Sequence, residues 1–463
     1  MDEKKLQKRY GLPTAIAMVV GIVIGSGIFF KTEAVLGVTN GDALIGVLAL
    51  IIMGVVLLIC AYGFSILSGK YEKVNGLVDY AEVTCGGKYA YYLGWFMTFV
   101  YTPAITGALA WVTAMYFGKV MGWALNSGEV LAVAGFIICG DVFINAFAPK
   151  LAGKFQVSGT VIKLIPLVLM AVVGIVKGLS SGQIAANFEL AAGTSGAGGL
   201  TAAVVALAFA FEGWILATSI NAELKDAKKN LPRALIFGSI IIVVVYITYY
   251  LGVCGAITIP ELMEKSSLAA FVNTFGNAWG TLLSVFIVIS CLCTTHGLMM
   301  ACGRNMYGIA SRGHGPKPEI FSAIDAGSNM PVNSMLLGAL MSCAWMVYYF
   351  MANVSGFFGV FSFDSSELPI ITLYGMYIPV FIKMFKMKDL NTWQGKIIPA
   401  LAIICCLFLC GCAVYSHGFV KFWAAKEAGT FAFPVLFFLI VSAVVMLCGI
   451  PFYRGSKEPE KIK

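Results

Sequence analysis

Apolar runs of roughly 18 or more residues recur along the chain, separated by shorter polar stretches. A run of that length crosses the hydrocarbon core of a bilayer as one α-helix. Twelve are readable, at about 13–38, 42–68, 86–118, 130–147, 155–177, 199–220, 234–257, 278–308, 332–352, 368–386, 396–415 and 432–452. The pattern predicts an all-α integral membrane protein of twelve transmembrane helices. The first run lacks a small-residue cleavage site and eleven more follow, so it reads as a structural span, not a signal peptide. Residues 178–198 read as a long Gly/Ser-rich connection.

Two of the runs are interrupted. The first contains "GIVIGSGIF" (Gly21–Phe29) and the sixth contains "ALAFAFEGWIL", where Glu212-Gly213 breaks the apolar stretch beside Trp214. Glycine and serine are poor helix formers. Broken backbone at membrane depth is tolerated only where it lines a cavity or is buried in protein. Interrupted spans five apart are the pattern of an inverted repeat with a site near the bilayer midplane. Residues 13–178 would be the first five-helix repeat and 199–386 the second. Residues 396–452 would be two appended helices, with tails at 1–12 and 453–463. At such a break the free N–H groups of a helix start favour an anion, and the free C=O groups of a helix end favour a cation. A zwitterion suits that gap. Gly21 and Gly25 also fit a small-xxx-small packing pattern, and taken alone the first break supports either use. The matching break in the sixth run favours binding.

Composition agrees with the spans. Of 463 residues, 59% are hydrophobic and 12% charged, against about 25% charged in soluble domains. With the N-terminus inside, twenty-four of the 31 basic residues fall on inner segments and six on outer ones. That bias places both termini in the cytoplasm, in a multi-pass protein of the plasma membrane. Lys163 is left over inside a span. The net charge of +8 therefore reflects topology, with no nucleic-acid partner implied. The thirteen cysteines lie almost entirely in spans, without a disulfide framework, and three histidines leave no metal cluster. No GxxxxGK[ST] loop is present, and no nucleophile–base or metal constellation marks an enzyme. No cofactor is expected. The spans carry too few polar residues to line a channel.

"GIVIGSGIF", "TVIKLIPL" in the fifth run and "FAFEGWI…AELKDAKKNLPRAL" across the sixth run resemble the amino acid–polyamine–organocation superfamily. The nearest likeness is to its L-amino acid transporter branch and bacterial serine/threonine-type exchangers. The segment "RNMYGIASRGHGPKPEIF…PVNS" also fits. The resemblance implies a LeuT-type 5+5 inverted repeat with broken helices 1 and 6. It implies that the amides of Ser26 and Gly27 receive the substrate carboxylate, with Gly25 giving the backbone room. The substrate ammonium would meet the carbonyls of Val23, Phe209 and Glu212. Phe209 would gate the pocket, and Ile24 and Trp214 would wall it. Lys163 would replace the sodium ion of sodium-coupled relatives, tying span five to spans one and eight, with Thr294 as its hydroxyl partner. An ionisable residue inside the membrane is a functional candidate, and Lys163 fits either a proton carrier or a fixed charge.

Some residues depart from the family pattern. Glu212 stands where relatives often have glycine or aspartate. It could serve a gate, tune Lys163, attract a cationic substrate or cap the broken helix. His296 replaces a common amide and fits a packing histidine better than a proton relay. Asp364 and Glu367 read as charges at the outer mouth, and Asp141 as the partner of a neighbouring helix. The loop "KVMGWALNSGEV" lacks the cysteine that joins animal members to a heavy subunit, so no disulfide-linked partner is expected. The reading is a secondary transporter of amino acids by alternating access: a sodium-independent neutral exchanger or a proton symporter. The alternative is a transporter of cationic amino acids or an amino acid/amine exchanger.

Overall fold

The first apolar run folds as two helices. In the computed structural model, which describes residues 6–25, 27–72, 75–124, 126–190 and 196–454, α1 (Leu12–Val23) stops before Ile24 and α2 (Gly27–Val38) resumes the run. Pro13 lies in the first turn of α1, where a missing N–H costs nothing. Then come α3 (Ala43–Lys70), α4 (Gly76–Cys85), α5 (Gly87–Phe96), α6 (Thr102–Val120), α7 (Ser127–Phe147) and α8 (Pro149–Ser181). After them run α9 (Gln183–Leu190), α10 (Gly196–Ala210), α11 (Ala227–Ala256), α12 (Ile259–Phe275) and α13 (Asn277–Ala310). The chain closes with α14 (Pro318–Phe321), α15 (Val332–Tyr349), α16 (Leu368–Met384), α17 (Ile398–Ala413), α18 (Lys421–Glu427) and α19 (Pro434–Cys448).

Among the described residues, ten helical segments are long and apolar enough to cross a membrane, and α1 and α16 are shorter apolar helices. No β-strand is found there, only an isolated bridge between Tyr10 and Leu224. The connection expected over 178–198 is partly helical: α8 extends to Ser181 and α9 follows. Asn187 explains why α9 docks. It is buried, and its side-chain amide donates to the carbonyls of Cys254 (2.6 Å) and Ile257 (2.8 Å) at the end of α11.

The sixth run breaks as well. α10 ends at Ala210, Gly213 adopts φ 101°, and Trp214–Glu223 continue as a tight 3-10 helix. A positive φ is costly for any residue with a Cβ, so glycine is what permits this turn. A Cβ there would also strike the side chain of Ile22 on α1. The two breaks therefore face each other in the centre of the bundle. α1 packs against α8, α11 and α13.

A third irregularity sits between α5 and α6, where Met97–Tyr101 form a π turn. Pro103 lacks an N–H, so the carbonyl of Phe99 loses its helical partner. It accepts instead from Trp345 Nε1 at 2.7 Å. π turns inside helices are frequent at functional sites, and this one carries Tyr101 toward the second break.

Candidate functional site

The end of α1 leaves carbonyls without intrahelical donors, as every helix end does. Lys163 on α8 answers two of them. Its ammonium donates to the carbonyls of Gly21 and Ile24, each at 2.6 Å, and to the Thr294 hydroxyl of α13 at 3.0 Å. The side chain is fully buried. Three donors meet three acceptors, which is the condition for holding an ammonium in an apolar interior. Thr294 donates in turn to the Gly21 carbonyl at 3.0 Å. Ser290, one turn earlier, lies 3.3 Å from the carbonyls of Ile24 and Gly25. α8, α13 and the first break are thus cross-linked by one buried ammonium.

Tyr246 on α11 joins the breaks to each other. Its hydroxyl lies 3.0 Å from the Val23 carbonyl and 2.8 Å from the Ala210 carbonyl, the ends of α1 and α10. Nothing in the sequence singles it out, because a tyrosine in an apolar helix is ordinary.

A small cavity opens between the breaks. Its walls include Val23, Gly25, Gly27, Phe209, Glu212 and Thr294, with Ile105 and Leu109 of α6 on the far side. Gly27 is tightly placed: a Cβ there would lie 3.0 Å from Ala210 Cα. Ser26 lies outside the described residues. Ile24 is fully buried and turns its carbonyl to Lys163 instead of walling the cavity. Trp214 does not wall it either. The turn at Gly213 swings the indole away, where Nε1 donates to the Tyr374 hydroxyl at 3.2 Å and the ring packs on Phe64.

Glu212 is buried at the cavity wall. Tyr101 donates to Oε1, while Oε2 has no hydrogen-bond partner. His296 stands apart from the cavity. Its Nδ1 lies 3.1 Å from Asp141 and 3.4 Å from Asn145 on α7, and Phe155 of α8 meets the ring edge-on. Asp141 thereby has a partner on another helix.

On the α2 side of the break, Lys31 donates to Glu367 Oε1 at 2.9 Å, and its ammonium lies 5.6 Å from the centre of the Phe209 ring. His417 lies 2.9 Å from Glu367 Oε2. One carboxylate thus ties the α2 half of the first span to α16 and to the turn after α17. At the opposite end, Arg304 of α13 donates to Glu223 at 2.6 Å. Arg312 pairs with both Asp79 and Glu82 of α4. Two charged clusters therefore bracket the cavity from either side.

A family model described as amino acid permease matches residues 10–445, a stretch that contains both breaks and all of this geometry. The chain belongs to the amino acid permease family. This permease is 27% identical over 475 residues to the serine/threonine exchanger SteT of Bacillus subtilis, covering 99% of this chain and 98% of that one. It is 26% identical over 403 residues to the b(0,+)-type amino acid transporter 1 of Oryctolagus cuniculus, across 82% and 78% of the two chains. Its fold resembles a crystal structure of MhsT in complex with L-phenylalanine, with TM-score 0.55 and 14% identity over 89% of this chain and 99% of that one. That last likeness is one of fold. The relatives are membrane transporters, and this permease is not an enzyme.

Proposed function

We propose that this permease is a secondary active transporter that moves small neutral amino acids across the plasma membrane by alternating access. It works as a sodium-independent exchanger or a proton symporter. Residues 13–178 and 199–386 form its inverted repeats, 396–452 its two appended spans, and both termini face the cytoplasm. The observation that carries the reading is Lys163, whose ammonium sits on the carbonyls of Gly21 and Ile24 with Thr294 beside it. A fixed cation bound by helix-end carbonyls does the electrostatic work that a metal cation would do there, which supports transport without sodium.

The substrate carboxylate is received by the amides at Ser26 and Gly27, at the start of α2, where unpaired N–H groups favour an anion. The substrate ammonium meets the carbonyls of Val23, Phe209 and Glu212. Phe209 closes over it. The Lys31–Glu367 pair beside Phe209 holds one side shut and the Arg304–Glu223 pair holds the other, and each opens in turn. Because the backbone binds what all amino acids share, the motif leaves the side chain to the pocket wall. The similarity to a serine/threonine exchanger supports small neutral substrates. The protein works without a disulfide-linked heavy subunit.

A second reading has its own observation. Glu212 Oε2 is buried at the cavity wall without a partner, and a buried charge calls for a counter-charge. That favours a cationic amino acid, or exchange of an amino acid for its amine. Purified protein in liposomes preloaded with single amino acids or amines distinguishes the readings. Uptake of labelled serine or threonine only into preloaded vesicles supports exchange. Uptake into empty vesicles driven by an acidic exterior supports proton symport. Flux of arginine, lysine or their amines without flux of serine favours the second reading. No saturable flux of any of these overturns both.

A further inference from the structure

At the end of the bundle that carries the N-terminus, a cavity of about 720 Å³ lies well away from the breaks. It is bounded by the N-terminal segment at Arg9, by the turn from α7 into α8 at Phe147–Leu151, and by the loop at Ser328 and Asn329. Its charged groups within the wall are cationic. Lys150 is exposed, and among the described residues it forms no ion pair or side-chain hydrogen bond. The Arg9 side chain is only 10% exposed. Its Nη2 donates to Asn329 Oδ1 at 3.0 Å, and its Nε has no hydrogen-bond partner. Nε is ion-paired with Glu223 Oε2 across 3.9 Å, a separation too long for a hydrogen bond. Asp325 stands beside the loop, and its Oδ2 is taken by the amides of Gly327 and Ser328.

The start of α8 adds to this. The helix has 33 residues, begins with Pro149 and has no side-chain cap at Ala148. The amides at Lys150 and Leu151 therefore have no intrahelical acceptor, and they flank the cavity at the positive end of a long helix dipole. A buried guanidinium, a free ammonium and two helix-start amides form a receptor for a phosphate.

The surface next to the mouth selects between a free phosphate and one attached to a lipid. Phe143, Phe147 and Leu151 are 64%, 59% and 56% exposed, and the first two rings meet at a tilt with centres 5.2 Å apart. In a chain with so many membrane-crossing helices, such a strip is met by acyl chains. We propose that this cavity binds the phosphate headgroup of an anionic phospholipid, with the acyl chains lying along Phe143, Phe147 and Leu151. Basic pockets at membrane-helix ends are suited to such headgroups. The bound lipid also has a route to the transport cycle. The amides of Arg9 and Tyr10 donate to the Glu223 carbonyl at 2.9 and 3.0 Å, so a lipid that holds Arg9 holds the end of the sixth span.

Native mass spectrometry of the full chain, delipidated and then titrated with phosphatidylglycerol or phosphatidylcholine, tests the site. Retention of phosphatidylglycerol over phosphatidylcholine is expected. Lys150→Gln, an exposed change that leaves the fold intact, is expected to weaken that retention about fivefold, and Lys150→Arg to restore it. Lys154→Gln, one turn along α8 and outside the cavity, is expected to leave it unchanged. Equal retention by wild type and Lys150→Gln overturns the proposal. So does equal thermal stabilisation by inorganic phosphate in phosphatidylcholine vesicles, which assigns the cavity to a free anion.

Discussion

The Lys163 ammonium lies 2.6 Å from the Ile24 carbonyl, inside the break of the first span. That carbonyl lies just past the last residue of α1, and Lys163 supplies the donor that the missing helical residues would have given. Lys163→Ala removes it and leaves two buried carbonyls with weaker partners, at about 1–3 kcal/mol each. Amino acid flux in proteoliposomes is expected to fall to background, while detergent-solubilised protein still elutes as a single peak. Wild-type flux in the variant reduces Lys163 to a packing residue. Replacing external sodium by choline is expected to leave wild-type flux unchanged, and strong stimulation by sodium would falsify the fixed-cation role.

Gly27 faces Ala210 across the two breaks, with 3.0 Å between an added Cβ and the Ala210 Cα. A leucine there sets its Cβ against Ala210 as any side chain would, and adds three more carbons where Ala210 Cβ and the Phe209 ring already stand. Gly27→Leu is expected to abolish substrate binding in isothermal titration, with the protein still folded by circular dichroism. Gly27→Ala, which demands a shift of only tenths of an ångström, is expected to weaken binding and not abolish it. Normal affinity in the leucine variant removes the carboxylate cradle from this position.

These breaks were open to reading because their chemistry is written in residue type. Gly21, Gly25 and Gly27 weaken a helix wherever they stand together, and Lys163 is conspicuous in an apolar run. Tyr246, Tyr101 and Ser290 are different. Their roles come from the approach of separate helices, and a tyrosine or serine among leucines and valines carries no mark of that approach. Trp214 shows the opposite failure. Its place in the motif suggests a pocket wall, but the positive φ of Gly213 turns the backbone locally and the indole donates to Tyr374 instead. His296 and Asp141 are each conspicuous in an apolar run, but their 3.1 Å pairing depends on α7 meeting α13.

Tyr246 carries a prediction of its own. Its single hydroxyl serves the carbonyls of Val23 and Ala210, so Tyr246→Phe leaves both helix ends without this donor. Loss of a buried partner costs about 1–3 kcal/mol. The melting temperature is expected to drop by several degrees, and exchange is expected to slow more than substrate affinity falls. An unchanged melting temperature and rate show that the breaks hold their positions without it.

Glu212 separates the two substrate readings. With Oε2 unpartnered at the cavity wall, Glu212→Gln keeps the shape and removes the charge. Under the neutral-substrate reading, serine or threonine exchange persists within a few-fold. Under the cationic reading, flux of lysine or its amine falls by about tenfold or more, since one lost charge-assisted bond is worth about 1.5–3 kcal/mol. Tyr101→Phe, which removes the donor to Oε1, is expected to shift the pH dependence of flux if Glu212 titrates during the cycle. An unaltered profile excludes that role.

Glu367, just ahead of α16, offers a pH test on the α2 side of the cavity. Burial alone would raise its carboxyl, but Lys31 and His417 outweigh it and hold the group at about 2. A carboxyl held below its ordinary value contributes stability at pH values above that ordinary value, and the contribution is lost as pH falls toward the folded one. The Lys31–Glu367 tie therefore stays intact from neutral pH down to about 4.5 and weakens only in stronger acid. Glu367→Gln removes it at every pH, leaving Lys31 without its counter-charge, and a break of this kind in a buried pair costs about 3–5 kcal/mol. The wild type is expected to be more stable than Glu367→Gln at pH 7 by thermal melting, with the gap closing below about pH 4. The freed Lys31 also releases Phe209, so the variant's cavity should react faster with a membrane-impermeant thiol reagent at a cysteine placed at Leu109. Equal labelling in both proteins means that this ion pair does not hold the cavity closed.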